Sequence, residues 1–270
     1  MSAMASSERK PIFRLATINV HSFSTPDKHQ NNIEELVSIV EKLNLDLISV
    51  QEIQNNKKWE KFCQLLSFPY FIYGSSEGEY FGNGIASRYP IQSSSNKKST
   101  FFCRAGTRSL FQCCLEGDHS FIKDRTFAVT HLDPYDEDDR LKQMIEFDPH
   151  SQKVDILMGD MNALTREDYS DDYYQDAIVG KRKCSGWEKP RFDLIKLITD
   201  EWNYQDVFRL KNPQIKDEQA ATCRFGTRID YIYVHPRVTD QWILNECSII
   251  ETKGATDHNI VFAEFKQIEK

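Results

Sequence analysis

The chain alternates short apolar runs with stretches of helical periodicity. Residues 12–20 read as a β-strand ending at Asn19 and Val20. Ile33, Leu36, Val37, Val40 and Leu43 then recur at helical spacing, and Asn44 can close that helix. Residues 46–50 predict a short buried strand that stops at Gln51 and Glu52. A second helix is predicted over 57–66, with Trp59, Phe62, Leu65 and Leu66 on its apolar side. Strands follow at 70–73 and 82–87, the latter closed by Arg88, Tyr89 and Pro90. The polar run 92–99 predicts a loop. Residues 110–115 and 121–130 read as two antiparallel strands joined by a turn at Glu116, Gly117 and Asp118.

The second half continues the mixture. A helix is predicted over 136–147 with Leu141, Met144, Ile145 and Phe147 inward, followed by an apolar strand over 154–158. Residues 164–176 are acidic and aromatic and predict a surface loop or short helix. Residues 192–198 read as helical, and 203–208 lead into a loop. Strands are expected at 228–234, 243–250 and 260–265. No internal repeat or low-complexity linker interrupts this order. The pattern suggests an α/β protein in which two mixed sheets pack face to face with helices outside. A single domain over 12–270 is expected, preceded by a disordered tail over 1–11 that has no apolar core of a signal peptide.

Composition narrows the class. A chain of 270 residues, 40% of them hydrophobic, can bury one large core or two small ones. Mean hydropathy is -0.57, and no apolar run approaches the roughly 18 residues of a membrane span, so no membrane partner is expected. Net charge is -7, from 34 basic and 41 acidic residues, which argues against a broad basic face for nonspecific duplex binding. Seven cysteines without a CxxC pair fit free thiols in a reducing compartment, so an intracellular protein, cytoplasmic or nuclear, is expected. A monomer is expected.

Polar groups stand where apolar segments end: Asn19, Glu52, His131, Asp160 with Asn162, Asp230, and Asp257 with His258. Each alone reads as a turn residue, a helix-terminal acid, a satisfied histidine or a local ion pair. Together they are a donor set for hydrolysis of a phosphate ester. Residues i and i+2 of a strand share a face, so Asp160 and Asn162 point the same way if the strand continues past Gly159. A hard divalent ion takes oxygen ligands, which Glu52, Asp257 and a neutral Asn19 can supply. Asp230 can orient the imidazole of His258. Asp160 can align or deprotonate an attacking water, and Asn162 and His131 can donate to nonbridging phosphate oxygens.

The blocks TINV, VQEI, THLD, GDMNAL, TRIDYIYV and ATDHNIV, in that order, resemble the endonuclease/exonuclease/phosphatase superfamily. This superfamily includes deoxyribonuclease I, exonuclease III-type abasic endonucleases, tyrosyl-DNA phosphodiesterases, deadenylases, neutral sphingomyelinases and inositol polyphosphate 5-phosphatases. The resemblance implies a four-layer sandwich with the site at one rim and a magnesium or manganese cofactor. It implies Glu52, Asn19 and Asp257 at the metal, and Asp160, Asn162, His258, Asp230 and His131 as catalytic residues. One departure is local. Abasic endonucleases and tyrosyl-DNA phosphodiesterases carry an aspartate two residues after the first asparagine, and this chain has His21.

The implied activity is hydrolysis of phosphodiester bonds in a nucleic-acid or nucleotide-like substrate. Alternatives are a phosphomonoesterase or a phospholipid or inositol-phosphate headgroup hydrolase, and a non-catalytic binding protein on the same fold. Arg88, Arg108, Arg140 and Arg166 are candidate phosphate contacts. Tyr169, Tyr173 and Tyr174 are candidate stacking partners for a base.

Overall fold

The computed structural model describes residues 12–76, 78, 81–237 and 241–268. The tail expected over 1–11 lies outside the described residues. In chain order, β1 (Ile12–Asn19) is followed by α1 (Ile33–Val40), β2 (Leu47–Gln54), α2 (Lys57–Leu65), β3 (Tyr70–Ser75) and β4 (Phe81–Ser87). Next come β5 (Ile91–Lys98), β6 (Ser109–Leu115), β7 (Thr126–His131), α3 (Glu137–Phe147) and β8 (Ile156–Asp160). A helical run over 171–184, wound as a π-helix at Tyr174–Gly180, and a short helix at Asp193–Lys196 lead to β9 (Gln205–Asp206). The strands β10 (Asp230–Val234), β11 (Trp242–Ile250) and β12 (Ile260–Gln267) complete two six-stranded mixed sheets. One sheet runs β11-β12-β1-β2-β4-β3 and the other β5-β6-β7-β8-β10-β9.

Period-two alternation builds the layers. Phe13 and Leu15 of β1 and Leu47 of β2 face Phe127, Val129, Ile156, Met158 and Ile232 of the other sheet, in one buried core. The alternate residues Ala16, Ile18, Ile48 and Val50 turn outward to pack under α1 and α2. Outside the second sheet, Ala128, Leu157 and Tyr233 pack against Met144 and Phe147 of α3. The result is the expected order of helix, sheet, sheet and helix.

The same alternation carries chemistry to one rim. The inward row of β1 runs Phe13, Leu15, Thr17, Asn19; that of β7 runs Phe127, Val129, His131; that of β8 runs Ile156, Met158, Asp160. Each row is apolar in the core and polar where the strand leaves it. Parallel pairing of β1 with β2 sets Asn19 against Gln51. Parallel pairing of β7 with β8 sets His131 against Asp160, and antiparallel β10 sets Asp230 against Asp160. On β2 the inward row would end at Gln51. A bulge between Val50 and Ile53, with Glu52 at φ 57°, inserts one residue and turns Glu52 to the rim.

Gly159 shows how tightly the rim is drawn. Its φ is 130°, and an added Cβ would lie 2.0 Å from the Thr130 carbonyl oxygen. Gly159→Ala is therefore expected to destabilise the fold by about 2–4 kcal/mol, because strain and overpacking both act on the β7–β8 ladder. Urea unfolding checks this; an unchanged midpoint would show that the ladder yields freely.

Several expectations change. The polar run 92–99 is not a loop but most of β5, an edge strand whose backbone pairs with β6 while its serines and lysines face solvent. Polar side chains on an open edge discourage pairing with other chains, and they erase the apolar alternation that marks a strand. The strand expected over 121–130 begins only at Thr126 and runs to His131, and Phe121 and Ile122 enter the core from a turn. On α3, Ile145 is exposed, whereas Arg140 and Gln143 are buried. Residues 203–208, expected to lead into a loop, hold β9 and open a helix, Val207–Lys211, before the turn that follows. Among the described residues, no helix is long and apolar enough to cross a membrane.

Candidate active site

The rim residues form one hydrogen-bonded set. Asn19 Nδ2 donates to Glu52 Oε1 at 3.0 Å and to Asp160 Oδ2 at 3.2 Å, tying the two sheets together. His258 Nδ1 lies 2.8 Å from Asp230 Oδ2, and its Nε2 lies 3.8 Å from Asp160 Oδ2. His131 Nε2 is 3.6 Å from the same Asp160 oxygen, and its Nδ1 is 3.4 Å from Arg108 Nη1. Asp257 and His258 sit in the turn before β12. Thr256 Oγ1 pins that turn by donating to the Asn19 carbonyl at 3.0 Å, and Thr252 Oγ1 donates to the His258 carbonyl at 2.7 Å.

The strand passes Gly159 but ends at Asp160, so it does not carry on to Asn162 as the shared-face reading of Asp160 and Asn162 required. Asn162 has φ 49°, its backbone N–H donates to Asp160 Oδ1 at 3.0 Å, and its side chain donates to the Leu132 carbonyl at 3.1 Å. Asn162 thus closes an Asx-type turn that fixes the Asp160 carboxylate.

Burial and neighbouring charge set the protonation states. Burial, followed by the negative charge of Asp230, pushes Asp160 up to about 7, against the opposing pull of His258 and of the hydrogen bonds from Asn19 and Asn162. Burial by itself lowers His258, but Asp230 overrides it and holds the imidazole well above its usual range. Burial and then the Arg108 guanidinium hold His131 well below that range, so it is a neutral ring. Cys223, bridged to His258 in the backbone, has its thiol raised by burial and is not a reactive thiolate.

These groups open into a cleft of about 540 Å³ lined by Glu52, His131, Asp160, Asn162 and His258, and also by Arg104, Arg108, Tyr135, Arg182, Trp187 and Phe225. Trp187 and Phe225 meet edge to face, ring centroids 5.1 Å apart at 82°, and each is 43% exposed. The Arg104 guanidinium lies 4.4 Å over the ring of Tyr135. Sequence reasoning missed this second group apart from Arg108. Its only signal is aromatic residues beside arginine or glycine in stretches without apolar periodicity, which any loop can show.

Of the expected metal residues, Glu52 and Asp257 fit a hard cation, whereas Asn19 gives its amide nitrogen to Glu52 and Asp160 and its oxygen accepts the His21 N–H. Glu52 and Asp257 are the most water-accessible carboxylates of the rim, at 23% and 14% side-chain exposure, and both turn toward the same imidazole, His21. Ligand atoms of Asp160, Asp230 and His258 also lie within 4.8 Å of one another. That group is a poorer cation site, because Asp230 and His258 are buried and already satisfy each other.

Among the expected substrate contacts, Arg108 alone lines the cleft. Arg88 stands at the other end of its sheet, since Ser87 pairs with Leu47 at the start of β2, and it holds the carbonyls of Leu45 and Ser67. Arg140 is buried, donating to Glu137 Oε2 and the Asp133 carbonyl, both at 2.9 Å, and to Glu188. Arg166 binds the Tyr169 carbonyl and Asp171. Tyr169 is 1% exposed and packs with Leu164 and Ile178, so it has no face for a base. Tyr173 donates to the Gly226 carbonyl, and Tyr174 lies under Arg166.

A family model described as Endonuclease/Exonuclease/phosphatase family matches residues 16–258. An endonuclease/exonuclease/phosphatase from Beutenbergia cavernae DSM 12333 superposes with a TM-score of 0.69 at 16% identity, over 96% of this chain and 72% of that one. The human Nocturnin catalytic domain, with bound sulfate anion, gives 0.66 at 15% identity over 96% and 95%. ANGEL2, a 2',3'-cyclic phosphatase, gives 0.63 at 14% identity over 94% and 95%. At such identities the likeness is one of fold. No curated protein matches this sequence.

Proposed function

From the fact that the chain belongs to the endonuclease/exonuclease/phosphatase family, we propose that it is a divalent-metal-dependent hydrolase of phosphodiester bonds in a nucleic-acid or nucleotide substrate. The observation that carries this reading is the linked set Asp230, His258 and Asp160, buried at the base of a cleft that arginines and exposed aromatics also line.

Asp230 accepts from His258 Nδ1, which fixes the ring and leaves Nε2 toward Asp160. Asp160, held by Asn19 and by the Asn162 N–H, aligns a water for attack on phosphorus, and the water's proton passes to the Asp160–His258 pair. Neutral His131 donates to a nonbridging oxygen, and Arg108 adds positive charge beside it. Asn162 gives one amide hydrogen to Leu132 and keeps the other for the phosphate. Glu52 and Asp257, with Asn19 bracing Glu52, would hold the divalent cation, whose charge would polarise the phosphoryl group and offset negative charge on the leaving oxygen. The exposed Trp187–Phe225 pair offers a face on which a base would stack, with Arg104 and Arg182 alongside, and this favours a nucleotidic substrate over a lipid headgroup.

Purified protein is expected to cleave a short single-stranded oligonucleotide with magnesium and to lose that turnover in EDTA. A p-nitrophenyl phosphate control separates phosphodiester from phosphomonoester chemistry. Absence of metal-dependent turnover on either would sink the hydrolase reading. Turnover of the monoester alone would overturn the substrate assignment.

A further inference from the structure

Three consecutive non-glycine residues after β1, His21, Ser22 and Phe23, hold φ of 46°, 57° and 54°. Residues with a Cβ lose about 1–2 kcal/mol each in this region, so neighbours must impose the conformation. They are visible. His21 N–H donates to Asn19 Oδ1 at 3.1 Å, and Phe23 N–H donates to the Val20 carbonyl at 2.9 Å. Lys58 Nζ binds the carbonyls of Ser22 and Phe23 at 3.2 and 3.4 Å. Phe23 is buried with its ring 5.1 Å from that of Phe62. The strained turn holds the imidazole of His21 between two carboxylates: Nδ1 lies 3.7 Å from Glu52 Oε2 and 3.6 Å from Asp257 Oδ1.

We propose that His21 is a nitrogen ligand to the cation held by Glu52 and Asp257, and that it biases this site toward manganese over magnesium. The inference rests on the metal-dependent reading above and adds the identity of a ligand and of the preferred ion. Donors about 2.1 Å from one ion stand about 3 Å apart when adjacent and about 4 Å when opposite, so each of the two separations suits a shared ion. The other rim histidines stand farther from this pair: His258 gives Nδ1 to Asp230 and turns Nε2 to Asp160, and His131 Nε2 lies 3.6 Å from Asp160 and 4.0 Å from Glu52 Oε1, with neither ring paired to Asp257 as His21 is. Arg224 also approaches Asp257, its Nε 3.9 Å from Oδ2, but Oδ1 is the atom turned to His21. Magnesium strongly favours oxygen donors, whereas imidazole suits first-row transition ions. An aspartate in place of His21 would leave an all-oxygen donor set; with His21 it is mixed.

The test uses the full chain, stripped with chelator and titrated with manganese alone, magnesium as competitor, and pulsed electron paramagnetic resonance to detect nitrogen bound to the ion. Wild type is expected to show nitrogen coupling, and His21→Ala to lose it. His21→Asp keeps a ligand and tolerates the left-handed turn, and it is expected to lower the manganese-over-magnesium preference at least ten-fold. Manganese bound without nitrogen coupling, coupling that survives His21→Ala, or an unchanged preference in His21→Asp overturns the role of His21 alone. Failure of wild type to bind either ion overturns the metal-dependent reading with it.

Discussion

Asp160→Asn and His258→Ala are each expected to lower kcat about a thousand-fold with the fold intact. In the proposed mechanism the two side chains share the proton that the attacking water must lose, and general-base catalysis contributes about 10²- to 10⁴-fold. Asp160→Asn keeps the shape and the acceptor for the Asn162 N–H but turns an amide nitrogen toward Asn19 Nδ2, so its unfolding midpoint is measured beside its kcat. His258→Ala leaves Asp230 buried without its partner, so urea unfolding must accompany the kinetics to separate lost chemistry from lost structure. Asp230→Asn tests the link between them, since the ring would remain placed but lose the charge that stabilises its protonated form. Near-full activity in Asp160→Asn or His258→Ala would show that the proton takes another route.

The second large effect lies beside the site. Arg228→Ala is expected to destabilise the fold by about 3–5 kcal/mol, the range for removing one partner of a buried ion pair. Arg228 is 1% exposed; its Nε donates to Asp168 Oδ2 at 2.8 Å and its Nη2 to Asp206 Oδ2 at 2.6 Å. Its guanidinium also stacks 4.3 Å from the ring of Tyr231. Burial raises the Asp168 carboxyl from its usual range even against the pull of Arg228, which marks a charge that needs its partner. Asp206 caps the helix Val207–Lys211 and Asp168 keeps Arg209 Nε at 3.0 Å, so one deletion takes the shared guanidinium from two acids on separate segments. Equilibrium unfolding in urea measures the loss. A shift below about 1 kcal/mol would mean that water reaches the acids once the guanidinium is gone.

This network corrects a local reading that the sequence invites. Two positions apart on one predicted strand, Arg228 and Asp230 look like a pair. In the fold β10 begins at Asp230, and the two side chains serve different ends: Asp230 turns to His258, and Arg228 to Asp168 and Asp206. Charge adjacency along a chain says little when partners can arrive from 60 residues away, as Asp168 does.

Alternation and helical spacing by themselves determined the layered α/β architecture, because burying one face of each strand and helix is a demand that every segment states locally. Ordered polar blocks at the apolar ends likewise marked Asn19, Glu52, His131, Asp160, Asp230, Asp257 and His258, since carboxylates and histidines closing apolar runs recur too often to be turns. The tertiary structure decided the rest. Only strand register brings Asn19, Asp160 and Asp230 to one rim, and only the bulge at Glu52 turns that side chain inward. Only packing shows that Arg88, Arg140 and Tyr169 are committed elsewhere, while Arg104, Trp187 and Phe225 line the cleft. Arginine and aromatic side chains serve cores, ion pairs and binding clefts with equal ease, so their roles are set by what stands opposite them, and a one-dimensional pattern does not record that.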